Sequence, residues 1–123
     1  MTVITHTTIG AKDLEAEEDF FNQILSVLGT KKGLRTERAV SWSLPPQGRK
    51  LTVSLAVDGK TTTVFLDAGN RRQVDEVHSK ALALGAENDG EPGVSYDGLY
   101  YTAAFRDLDG NRVKIRHLLR HLA

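Results

Sequence analysis

Tyr100-Tyr101-Thr102-Ala103-Ala104-Phe105-Arg106-Asp107-Leu108-Asp109-Gly110-Asn111-Arg112-Val113-Lys114-Ile115-Arg116 reads as two strands joined by a tight turn. Asp and Asn suit turn positions because their side chains bond neighbouring backbone, and Gly110 accepts a positive φ without a Cβ clash. Beyond the turn, Val113 and Ile115 alternate with Arg112, Lys114 and Arg116, so one face of this strand is apolar and the other cationic. A strand of this kind either lines a cleft or forms an exposed sheet face beside a core. The pattern alone leaves both open.

Upstream, the chain falls into two similar halves. Residues 2–9 alternate as a strand, with Val3 and Ile9 on the packed face and His6 opposite. Asp13 can cap a helix whose apolar face carries Leu14, Phe21, Ile24, Leu25 and Leu28, and Gly29 stops it. A strand over 38–44 carries Val40, Trp42 and Leu44 on one side, and Pro45-Pro46-Gln47-Gly48 breaks it. Leu51, Val53, Leu55 and Val57 alternate with small polar residues and Ala56, and Asp58-Gly59 is a turn dipeptide. The pattern then restarts. Residues 61–67 form a strand, Asn70 with Gln73 is a helix-capping pair, and Val74, Val77, Ala81 and Leu84 follow at helical spacing before Gly85. Residues 87–97 read as a loop, strands at 99–106 and 112–117 close the chain, and 118–123 is a short tail. A slide of 57 residues places Thr63 on His6 and Asn70 on Asp13, whereas the helix ends, Leu28-Gly29 and Leu84-Gly85, require 56. The repeat is one of pattern rather than of residue identity.

Composition narrows the function classes. The 123 residues suit one domain, with module one at about 1–58 and module two at about 59–123. Sixteen basic residues balance sixteen acidic ones, so no global field favours nucleic acid or an anionic membrane. Without cysteine there is no disulfide, thiolate nucleophile or cysteine-held metal. No signal run or membrane span is expected, which points to a cytoplasmic protein. The acids Asp13, Glu15, Glu17, Glu18 and Asp19 cluster at the first helix start, where they favour the helix dipole.

The phrase Phe105-Arg106-Asp107-Leu108-Asp109-Gly110-Asn111-Arg112-Val113, with His6-Thr7-Thr8-Ile9-Gly10-Ala11-Lys12-Asp13-Leu14 and residues 89–93, resembles the vicinal oxygen chelate superfamily. That superfamily includes glyoxalases, bleomycin-resistance proteins and extradiol dioxygenases. The resemblance covers essentially the whole chain and specifies the superfamily better than the reaction. It implies an α+β fold of two βαβββ modules, whose curled mixed sheets enclose a cleft with the helices outside. It also implies a homodimer and, in metal-dependent members, one divalent ion held by the first and last strands of each module.

Carried over by position, those ligand sites fall on His6, Val57 (Leu55 if the register shifts), Thr63 and Lys114, with 51 residues between His6 and Val57 and between Thr63 and Lys114. Histidine is usual where Thr63 stands, glutamate where Lys114 stands and proline where Leu108 stands. One imidazole, one aliphatic group, one hydroxyl and one ammonium do not suit a divalent cation, so no metal or other cofactor is expected. His6 and Lys114 are the candidates for acid–base or electrostatic work. Trp42, Val53, Leu55, Val57, Phe65 and Tyr101 are candidate apolar walls, with Thr63, Arg112 and Arg116 as polar contacts. His78 reads as a half-buried packing residue, His117 and His121 as tail residues, and Asp67 as a residue leading into the second helix. Serines 26, 41, 43, 54, 79 and 95 lack a nucleophile setting, and Glu37 and Glu91 are bases only in principle. The expected function is to bind a small, partly apolar, anionic or oxygen-rich molecule, with no nucleic-acid or membrane partner. A diverged or metal-dependent lyase or dioxygenase of the superfamily is the alternative.

Overall fold

Each half of the chain builds a strand, a helix and three more strands. The computed structural model describes residues 6–44, 49–55 and 61–119. The first half contains β1 (His6–Ala11), α1 (Leu14–Ser26), β2 (Lys32–Arg35), β3 (Ala39–Leu44) and β4 (Arg49–Leu55); the second contains β5 (Thr63–Asp67), α2 (Arg71–Ala83), β6 (Glu87–Val94), β7 (Tyr100–Arg106) and β8 (Arg112–Leu118). They make two four-stranded mixed sheets, ordered β1-β4-β3-β2 and β5-β8-β7-β6. In each sheet the first and last strands pair in parallel, while the other pairs are antiparallel. The sheets do not close into a barrel, and the fold is α+β. Val3, Pro45-Pro46-Gln47-Gly48, Val57, Asp58-Gly59 and His121 lie outside the described residues.

The two helices match more closely than their sequences do. Asp13 and Asn70, the pair superimposed by the 57-residue slide, are the N-caps: Asp13 accepts from Ala16 N–H and Asn70 from Gln73 N–H. Both helices have 13 residues, with Val27 and Leu84 as C-caps at the same offset. The one-residue difference therefore falls in the turns beyond, at Gly29 (φ 77°) and Gly85 (φ 105°). Each helix covers one face of its sheet. Phe21 lies 6.0 Å from Trp42, and Phe20 meets Phe105 edge-on at 6.1 Å, joining α1 to the other half of the molecule. Such aromatic pairs add about 1 kcal/mol beyond their buried area.

The βαβββ pattern calls for three strands after each helix, and residue alternation locates only two of them in each half. Residues 87–94 form β6 rather than part of a loop, because an edge strand needs no apolar alternation. Irregular register at Asn88–Gly90 and Gly90–Gly93 accommodates its glycines, and edge position tolerates Pro92. β2 is likewise an edge strand, exposed along its length, and left no periodic signal.

The Asp107–Asn111 turn also ties the halves together. Asp107 Oδ1 accepts from Asp109 N–H (2.9 Å) and Asn111 N–H (2.8 Å), as expected of turn carboxylates. Asn111 Oδ1 accepts from Thr62 N–H at 3.0 Å, and its Nδ2 donates to Asp107 Oδ2 at 3.0 Å and Gly10 O at 3.3 Å. Lys12 N–H bonds Asp109 Oδ1 at 3.3 Å. Behind the turn, Glu17 of α1 is fully buried, and neither carboxyl oxygen has a hydrogen-bond partner among the described residues. Burial is the main force pushing its pKa up to about 10, and the neighbouring carboxylates of Asp107 and Asp109 add to it by disfavouring a further negative charge. Glu17 thus departs from the solvated helix-start acid that its neighbours suggest.

Candidate functional site

The face of sheet two turned away from α2 gathers four cations, Arg106, Arg112, Lys114 and Arg116. Alternation sends Val113 and Ile115 into the core and leaves Arg112, Lys114 and Arg116 half-buried on this face. Register places three rows across it: Thr63, Arg112 and Arg106; then Phe65, Lys114 and Ala104; then Asp67, Arg116 and Thr102. Phe65 keeps 40% of its surface exposed, an apolar patch beside Lys114.

Most of these cations are committed. Arg116 Nε bonds Asp67 Oδ1 at 3.0 Å, and its guanidinium lies 5.2 Å from both the Phe65 and Tyr100 ring centres. Asp67 also pairs with Arg49 of β4 at 2.5 Å, and Arg49 reaches Phe65 O. Asp67 is thus a charge hub between the two halves, whereas the cap of α2 is Asn70. Arg112 and Arg106 share Asp89, at 2.8 and 3.4 Å. Lys114 forms no ion pair or hydrogen bond with any described residue. Its charge does help hold Asp97 below the usual carboxylate range, after the larger effects of the Ser95 hydroxyl and the Leu99 N–H.

Solved structures supply the comparison. A glyoxalase/bleomycin resistance protein from Albidiferax ferrireducens T118 superposes with a TM-score of 0.80 at 26% identity, covering 93% of this chain and 98% of that one. A glyoxalase/bleomycin resistance protein/dioxygenase family enzyme from Burkholderia phytofirmans PsJN gives 0.73 at 18% identity, covering 94% and 98%. Lactoylglutathione lyase from Agrobacterium tumefaciens gives 0.69 at 21%, covering 95% and 94%. The chain has the vicinal oxygen chelate fold. No family model matches its sequence, and no curated protein does.

Within the vicinal oxygen chelate fold, sheet register revises one of the four positions assigned to metal ligands. Thr8 and Phe65 correspond at the 57-residue offset; Thr8 pairs with Thr52, and Phe65 with Lys114. The first-half counterpart of Lys114 is therefore Thr52, not Val57 or Leu55. Equal sequence spacing misled because β2 has four residues where β6 has eight, so β4 arrives earlier in its half. His6 Nε2 and Thr52 Oγ1 are 3.0 Å apart, hydrogen-bonded to each other. The donor set is thus one imidazole, two hydroxyls and an ammonium. It does not fit a divalent cation, since neutral hydroxyls are poor ligands and Lys114 brings like charge. Among the described residues, no three His, Asp or Glu side chains converge in a metal-holding group.

The remaining candidates divide by face. Thr63, Phe65, Arg112, Lys114 and Arg116 share the open face of sheet two. Trp42 is fully buried, and its Nε1–H donates to Asn22 Oδ1 of α1 at 3.4 Å, so its ring faces the helix and not the open side. Val53 is also fully buried, and Leu55 shares its side of the pleat, reaching solvent at the strand end. Tyr101 points to α2, where its hydroxyl donates to Asp75 Oδ1 at 2.7 Å and Arg71 stacks on its ring. His78 is more deeply buried than its sequence setting suggested, bonding Asn88 and meeting Phe105 edge-on. His117 bonds Ala68 O at 3.1 Å. Sequence reading missed Arg106, Asp89 and Arg49, because an ion pair across strands leaves no local pattern.

Proposed function

We propose that this protein binds a small, partly apolar anion on the open face of sheet two, with Lys114 as the charge that receives it. The observation carrying this reading is Lys114, a half-buried residue paired in register with the exposed Phe65, whose ammonium meets no ion-pair or hydrogen-bond partner among the described residues while Arg106, Arg112 and Arg116 each meet a carboxylate. A partly desolvated cation attracts an anion more strongly than one in bulk water. The likeness to glyoxalase/bleomycin resistance proteins supports a small-molecule role for such a face. Calorimetry with carboxylates, phosphates and phenolates tests the reading on wild type and Lys114→Met. The substitution should weaken the hits by about tenfold or more. Equal affinity for every hit would refute it.

We further propose that two chains associate as a twofold homodimer. Support comes from the exposed edge strands β2 and β6 and from Leu34 and Val94, 67% and 56% exposed on them. Light scattering at micromolar concentration tests this; a monomer there would refute it.

A further inference from the structure

We propose that Arg106, Arg112 and Thr63 form a second anion subsite beside Lys114, so that the preferred ligand is a dicarboxylate. This rests on the reading of Lys114 given above. Arg106 and Arg112 stand directly opposite each other across β7 and β8. Like charges in that position repel. The two guanidinium groups share one carboxylate oxygen, Asp89 Oδ2, which neutralises only one of them. Their side chains remain 42% and 39% exposed, open to an incoming group. Thr63 flanks Arg112 in register on the other side, exposed and with its hydroxyl bonded to no described residue. Arg116 offers no equivalent place, because Asp67 and two aromatic rings already surround its guanidinium.

Spacing sets the ligand class. Arg112 and Lys114 lie two residues apart on one strand face, about 6.6–6.8 Å along the strand. A ligand with one carboxylate on Lys114 and another on Arg112 spans that step. A single phosphate carries both charges on one centre and does not.

Calorimetry with glutarate, butyrate and inorganic phosphate tests the proposal on wild type, Arg112→Gln, Lys114→Met and Asp89→Asn. Wild type should prefer glutarate over butyrate by about tenfold or more, and Arg112→Gln should bring that ratio close to one. Asp89→Asn should raise glutarate affinity, a gain that unfolding cannot produce. A wild-type ratio near one, or a ratio indifferent to Arg112→Gln, overturns the second subsite while Lys114→Met still reports on the first. Phosphate binding more tightly than glutarate overturns the spacing argument. No weakening of any probe by Lys114→Met overturns both readings.

Discussion

Glu17 is one of five acids in a short stretch, yet it alone among them is sealed from solvent. Its carboxyl stays protonated in the folded chain well past neutral pH, while in the unfolded chain it ionises near 4.5. The folded state therefore binds the extra proton, so this group's contribution is most favourable below pH 4.5 and declines as pH rises towards about 10. The slope is about 1.4 kcal/mol per pH unit across that window, which amounts to about 3 kcal/mol lost by neutrality. Glu17→Gln should recover much of that loss at pH 7 and flatten the pH dependence, measured by chemical denaturation from pH 5 to 9. Equal destabilisation by the substitution at every pH would contradict the argument. Lys114 makes the opposite case. Its removal breaks no ion pair with a described residue, so Lys114→Met should change stability by no more than about 0.5 kcal/mol. A large loss would mean that the ammonium is a structural plug.

At the scale of elements, the Asp107–Asn111 turn does more than reverse the chain. Asn111 is 1% exposed, and its side chain serves Thr62, Asp107 and Gly10 at once. Asn111→Ala should cost about 2–4 kcal/mol by denaturant titration, since buried polar groups lose their partners. Gly110→Ala should cost less, about 1–2 kcal/mol. Its φ is 85°, but an added Cβ would meet Thr61 Cγ2 at an ordinary 3.6 Å, so only the backbone is strained. This turn was legible in the sequence because Asp, Asn and Gly act on their own neighbourhood. So were both helices, through cap residues and apolar spacing. The edge strands β2 and β6 were not, since exposed strands are free of the alternation that marks a buried face. The counterpart of Lys114 was hidden for another reason: equal spacing along the chain is a poor guide when the two halves differ in strand length. The grouping of Thr63, Phe65, Arg112, Lys114 and Arg116 followed from strand alternation, whereas the arginine pairs and the orientation of Trp42 depend on contacts made across the fold.

Across the whole molecule, two copies of one strand order have diverged in surface chemistry. The open face of sheet one presents His6, Thr8, Thr52 and Ser54 with the single cation Lys50, while that of sheet two presents Arg106, Arg112, Lys114 and Arg116 together. Asp67 joins the halves near one end through its pair with Arg49, and Asn111 joins them through Gly10. Because these ties and the Phe20–Phe105 contact all cross between halves, amide exchange should show the two sheets opening together rather than in separate steps. Distinct protection classes for the two sheets would contradict this.

The bond from Asn111 to Gly10 spans 101 residues. A ribosome delivers Gly10 long before Asn111, so the first strand leaves the exit tunnel with its distant latch not yet made. The growing chain also holds Phe20 without Phe105 and Lys12 without Asp109. The N-terminal half should therefore remain open to proteases throughout translation and close only when the final hairpin arrives. Stalled nascent chains ending at residue 106 should be cut within α1 as readily as ones ending at residue 60, whereas released full-length protein resists.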